Sequence, residues 1–182
     1  MRARIVVAGL AGLLVSGCAA EAEPVAVPPP APIAVDVAAA SSGGACRLLD
    51  FTLIEEQLKV RFDVAAASER DDTHTCVVRA EHATLPELAL TVTETTIDKA
   101  TFASDVTPDK AAKVTGLGQQ AYRRTIAAAG GHGPVAEVGW LATDGRLASL
   151  SWTSARGTER SAVDKLAGDL AALAKKVDTR AL

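Results

Sequence analysis

Three cysteines carry the most specific chemistry in this chain. Cys18 closes the run Val15-Ser16-Gly17-Cys18, where small residues follow an apolar stretch. That is a lipobox: a signal peptidase cuts before such a cysteine, and the thiol receives lipid. Cys46 and Cys76 remain. Outside the cytoplasm two such cysteines have one pairing open to them, and a disulfide is expected. It would close a loop of about 30 residues and contribute roughly 3–4 kcal/mol in the chain-entropy account. The competing chemistry is a zinc site built on Cys76 and His74. A structural zinc takes about four ligands, usually in close pairs. Cys46 has no such neighbour, and His82 and His132 lack ligand spacing, so no metal is expected.

Acyl transfer and nucleotide chemistry have weaker claims. Ser149, Ser151, His132 and Asp144 are the right types for a nucleophile, a base and an orienting acid. Neither serine sits in a GxSxG elbow, and His132 lies among glycines, where a base is poorly positioned. Catalysis is not expected. Gly116-Leu117-Gly118-Gln119-Gln120-Ala121 fits the dinucleotide pattern GxGxxA. That pattern needs a buried strand before it and a helix after it. Here a polar, Lys-containing stretch precedes it. Tyr122, Arg124 and Ile126 then alternate with Ala121, Arg123 and Thr125, which suits a strand. A glycine turn feeding a strand is expected, and no cofactor.

The surrounding elements agree with an exported chain. Arg2 and Arg4 precede the apolar run Ile5 to Val15, which is shorter than the roughly 20 residues needed to cross a bilayer. Residues 1–17 read as a lipoprotein signal peptide. A single acyl chain holds a protein on a membrane only marginally, and stable anchoring takes about two, which a diacylglyceryl group on Cys18 would supply. Residues 18–44 are rich in Ala, Pro, Val, Ser and Gly, with Pro24, Pro28, Pro29, Pro30 and Pro32. They show no period, and read as an extended stalk. Residues 45–178 are expected to form one extracytoplasmic domain.

Within that domain, Thr52 and Glu55 have capping-box spacing and predict a short helix from about Leu53, with Ile54 and Leu58 on its buried face. The polar run from Ser68 to Thr75 reads as a loop. Cys76 to Ala80 reads as a strand, so the disulfide would tie the first helix to the first strand. Leu88, Leu90 and Val92 alternate with Ala89, Thr91 and Thr93, a half-buried strand beside it. Asp98 can cap a short helix through Phe102, and Thr107-Pro108-Asp109 offers another helix start. Val135 to Ala142 and Leu147 to Thr153 flank Asp144-Gly145, read as a two-residue hairpin turn. That turn sets Trp140 opposite Ser149 and Glu137 opposite Trp152. It leaves both faces apolar: either both are covered, or one holds a groove. Trp140, Trp152 and Tyr122 are the candidate ligand contacts. Thr158 should cap a final helix whose Val163, Leu166, Leu170, Leu173 and Val177 form one stripe. The fold class is α+β, an antiparallel sheet of about five strands packed by an N-terminal and a C-terminal helix.

Formal net charge is −3, and cleavage before Cys18 would remove the positive Arg2 and Arg4. With no basic run, nucleic-acid binding has no electrostatic footprint. The succession of lipobox, Pro-rich stalk, Cys46-Arg47-Leu48-Leu49, Cys76, Val114-Thr115-Gly116-Leu117-Gly118-Gln119-Gln120-Ala121, Trp hairpin and amphipathic helix resembles actinobacterial cell-envelope lipoproteins of unknown function. These are distantly similar to the extracytoplasmic sensor domains of mycobacterial serine/threonine kinases. The resemblance implies an antiparallel sheet with helices; the family has no established catalytic residues, so it supplies none to carry over. The expected role is noncatalytic: a module held on the outer face of the cell membrane by Cys18 that binds an envelope protein or lipid. The alternative is a carrier of a small apolar ligand in a cavity between the sheet and the last helix.

Overall fold

Alternation of apolar and small polar residues sets the architecture. In β3 (Glu87–Glu94), Leu88, Leu90 and Val92 are fully buried, while Ala89, Thr91 and Thr93 between them are partly exposed. The same division runs through β2 (Thr73–Arg79), with Cys76 and Val78 buried, and through β7 (Arg146–Thr153), with Ala148, Leu150 and Trp152 buried. In a computed structural model, which describes residues 39–182, these strands belong to a seven-stranded antiparallel sheet. Its other members are β1 (Val64–Arg70), β4 (Ala112–Val114), β5 (Gln120–Ile126) and β6 (Val135–Leu141), and its order is β1-β2-β3-β7-β6-β5-β4. Cys18, the signal-like run and most of the Pro-rich stretch lie outside the described residues.

Two helices cover one face of the sheet. α1 (Phe51–Leu58) begins where the Asp50 carboxylate accepts from the Thr52 N–H at 2.7 Å, and it buries Ile54 and Leu58. It stops at Lys59, which takes a left-handed conformation. α3 (Arg160–Ala174) buries Val163, Ala167, Leu170, Leu173 and Ala174 against β5 and β6, and packs on α1. Beneath the helices, cross-strand rows such as Leu90–Leu150–Val138 and Leu88–Trp152–Ala136 form the main core. Cys46 lies in a 3₁₀ turn (Gly44–Leu48) just before α1 and is joined to Cys76 by a disulfide, with the Cα atoms 4.8 Å apart. The opposite face is covered at one corner. There α2 (Lys99–Thr101), capped by the Asp98 carboxylate, runs into a π turn (Phe102–Val106) and sets Phe102 on Tyr122 and Leu141.

The class is α+β as the sequence indicates, but the sheet has seven strands where five were expected. β1 occupies part of the stretch expected to be a loop. It is an edge strand, exposed along almost its whole length, so burial imposes no apolar alternation on it. Its pairing with β2 makes it a strand. The disulfide therefore reaches the second strand and not the first. The helix expected at Thr107-Pro108-Asp109 is absent. β4 forms just beyond it because Ala112, Lys113 and Val114 pair with Arg123, Tyr122 and Ala121. The first helix starts from Asp50 and not from Thr52 with Glu55, and Glu159, not Thr158, stands at the cap of α3.

The largest difference lies in the hairpin. The Ala142 N–H donates to the Arg146 carbonyl at 2.8 Å, and Gly145 has φ +76°. The loop is therefore Thr143-Asp144-Gly145, three residues with glycine in the left-handed position, and not a two-residue turn. One extra loop residue shifts the pairing by one and reverses the relation between the two strands' faces. Trp140 faces Ala148, and Trp152 faces Ala136. Val138, Trp140, Ala148, Leu150 and Trp152 all point to the helices, and Val135, Leu141 and Leu147 remain on the other side. The domain also extends past its expected limits. Ala39 is fully buried, and the Ser42 hydroxyl donates to the Ala65 carbonyl. At the other end the Thr179 hydroxyl donates to Asp144 at 3.0 Å, and the Arg146 guanidinium donates to the Thr179 carbonyl.

Candidate functional site

The three aromatic residues expected to contact a ligand do not share one site. Trp140 is 2% exposed, beneath α3. Trp152 is also buried on that face, its ring 5.6 Å from that of Phe62. Tyr122 is on the opposite face, under Phe102. Trp152 reaches the wall of an apolar cleft, and Trp140 the wall of a separate, polar one beside Gly118 and Lys175.

The apolar cleft lies between the end of β7 and the first turns of α3. It encloses about 280 Å³, and Pro86, Trp152, Ala162, Val163 and Leu166 give it an apolar lining. Ser154 belongs to the same wall. Its backbone is paired in both directions, donating to the Pro134 carbonyl and accepting from the Gly133 N–H. Its hydroxyl is buried and has no partner among the described residues. Leaving a hydroxyl in that state costs about 1–3 kcal/mol.

On the opposite face the sheet presents a connected polar group. Arg124 donates to Glu137 through Nε at 2.9 Å and Nη2 at 3.0 Å, a bidentate pair. The Tyr122 hydroxyl donates to the same carboxylate at 2.8 Å. Burial, reinforced by that carboxylate, holds the phenol well above its ordinary range, so Tyr122 stays a neutral donor. Bonding to Glu137 also holds Arg124 above the usual guanidinium range. Gly139 makes this possible: a Cβ there would stand 2.6 Å from the Tyr122 ring. Toward β3 and β2 the same face continues as Ser149, Thr91 and Thr75, and as Ser151, Ala89 and Val77. It is flat and built of small side chains.

A third place was not foreseen from the sequence. Between α3 and the β4–β5 edge lies a cleft of about 560 Å³ bordered by Lys110, Arg123, Arg124, Arg160, Asp109 and Asp164. Arg123 points to the helix-covered face, and its Nη1 would be 3.3 Å from a Cβ on Gly168 of α3. The sequence signal was that glycine, which interrupts an otherwise good helix former and costs about 0.5–1 kcal/mol relative to Ala.

The residues considered for catalysis are dispersed. Ser149 and Ser151 stand on the flat outer face. His132 precedes β6, its Nδ1 2.6 Å from the Gly133 carbonyl, whereas Asp144 follows β6 and is bound by Thr179 and Arg146. The GxGxxA segment is a turn leading into β5. Gly116 and Gly118 have positive φ, and a Cβ on Gly118 would strike the Leu141 carbonyl at 2.3 Å. Cys76 is committed to Cys46. His74 has its Nδ1 3.4 Å from a Glu69 oxygen, outside good hydrogen-bond geometry.

These features define a class: an α+β module with a disulfide-linked, seven-stranded antiparallel sheet, helices over one face and clefts on both sides of the last helix. No protein-family model, curated protein or solved structure matches the chain.

Proposed function

We propose that this protein is an extracytoplasmic lipoprotein, anchored in the cell membrane through Cys18, whose α+β module is a noncatalytic, sensor-like binding domain of the envelope. The observation that carries this reading is the Cys46–Cys76 disulfide. It fits an oxidising compartment, and it accounts for two of the three cysteines, the third being Cys18 at the end of a signal-like run. On the same reading the chain is a relative of the actinobacterial envelope lipoproteins, supported by the Cys46-Arg47-Leu48-Leu49, Cys76 and Gly116 to Ala121 motifs. The test is metabolic labelling with an alkyne fatty acid in a bacterial host. Wild-type chain should be labelled and sediment with membranes, and Cys18→Ala should lose both properties. A Cys18→Ala chain that stays membrane-bound at the wild-type level would overturn the anchor. A pull-down from intact envelope that yields no specific partner would count against the binding role.

A second reading, a carrier of a small apolar ligand, is favoured by one observation: the apolar cleft that Trp152 and Ser154 form with the first turns of α3. Native mass spectrometry of the full chain purified from its own host should then show a bound mass that is lost in Ser154→Leu. A clean apo mass in both would reject the carrier reading and leave the anchor untouched.

A further inference from the structure

We propose that the cleft between α3 and the β4–β5 edge is an anion site in which Arg123 grips a phosphate group of a small ligand. The four cations on its border are not equivalent. Arg124 is already spent on the Glu137 carboxylate. Arg160 donates to the Thr125 carbonyl at 3.1 Å and lies 3.9 Å from Asp164. The Arg123 guanidinium has no hydrogen bond and no carboxylate within 4.0 Å among the described residues, although the residue is half-buried beneath a helix. Removing a guanidinium from water without a partner is unfavourable. A planar fork held in place is also the side chain best suited to take two oxygens of one anion.

The surroundings are shaped for that fork. Gly168 faces Arg123 from α3, where a Cβ would lie 3.3 Å from Nη1, a tight contact. Lys110 stands at the border with φ +63°, in a conformation uncommon for lysine. With Arg160 it adds positive charge beside Arg123, which favours a phosphate over a singly charged carboxylate. Asp109 and Asp164 on the same border disfavour a ligand whose remaining groups are also anionic. The class indicated is therefore a phosphomonoester or phosphodiester carrying neutral hydroxyl groups, either free or as a deacylated lipid headgroup.

The test uses the full chain and two probes, inorganic phosphate and glycerol 3-phosphate, against sodium chloride at equal ionic strength. The Arg123 Nε–H resonance and the thermal midpoint are followed together. Both should move saturably with phosphate and not with chloride. Arg123→Gln should weaken phosphate binding by roughly tenfold or more, the effect of losing one charged fork. Arg123→Lys, which keeps the charge, should weaken it less. Arg156→Gln, in the loop beside Gly131, should bind as wild type and serves as the folded control. Tighter binding of glycerol 3-phosphate assigns the headgroup source, and equal binding the free anion; either supports the site. Unchanged binding in Arg123→Gln, or no saturable response in wild type, overturns it.

Discussion

Replacing Gly139 by Ala tests whether that glycine exists to seat Tyr122. The added Cβ would lie 2.6 Å from two ring carbons of Tyr122 and 2.7 Å from its hydroxyl oxygen. Three effects compete. Alanine in a strand is favoured over glycine by about 0.5–1 kcal/mol. Overpacking costs about 1–3 kcal/mol. Swinging the ring away also breaks the hydroxyl's bond to the Glu137 carboxylate, which costs a further 1.5–3 kcal/mol or so. The clash and the lost bond win, and Gly139→Ala should destabilise by about 2–5 kcal/mol. In a Tyr122→Ala background neither penalty remains, and the same change should stabilise by about 0.5–1 kcal/mol. Urea unfolding of the four chains with the disulfide intact, at constant m, measures the coupling directly. The reasoning fails if Gly139→Ala unfolds within about 0.5 kcal/mol of wild type. It fails equally if the cost is the same with and without the Tyr122 ring.

Three further outcomes follow. Tyr122 is the one tyrosine of the chain, so phenolate absorbance reports it alone. Its folded pKa is raised, so its contribution to stability is complete below about pH 10, where free tyrosine titrates, and is lost as pH rises beyond that. Phenolate should appear together with loss of native circular dichroism, and a phenolate titrating near pH 10 in folded protein would contradict this. Replacing Cys46 and Cys76 by Ala should lower the unfolding free energy by about 3–4 kcal/mol, for a sequence separation of 30, with no further loss when reductant is added. Trp140 and Trp152 are both buried, so emission should be blue-shifted and weakly quenched by acrylamide. Strong quenching of either would mean that the hairpin pairs in the other register.

The sequence was most legible where one face of an element is buried. Leu88, Leu90 and Val92 carry the period of two, and Val163, Leu170 and Leu173 carry the helical step, because burial selects apolar residues at those positions. β1 was not legible because an exposed edge strand is held mainly by backbone pairing, and hydrogen bonds to β2 leave no mark on side-chain type. The short β4 is a second edge strand, with Val114 alone of its three residues buried. The hairpin shows a different limit. Asp144-Gly145 marks the turn, but whether the loop holds two or three residues depends on where the Arg146 carbonyl finds its donor, and Ala142 supplies it.

That single register decides where recognition can occur. With the alternate pairing each face would hold one tryptophan, and the outer face would be sticky. With the observed pairing both indoles enter the core, and the outer face keeps Ser149, Ser151, Thr91 and Thr75 around the Tyr122–Glu137–Arg124 group. A flat surface of small side chains offers a ligand little area to bury, and enclosed concave sites are where small molecules bind. Two of the concavities lie on either side of α3, one apolar with an unsatisfied hydroxyl in its wall and one lined by arginine. Arg123 and Ser154 were invisible in the sequence because a cleft is set by how a helix crosses a sheet, and no local pattern encodes that crossing. Gly168 was the trace left behind: glycine is costly inside a helix, and this one stands where a Cβ would press on the Arg123 guanidinium at 3.3 Å.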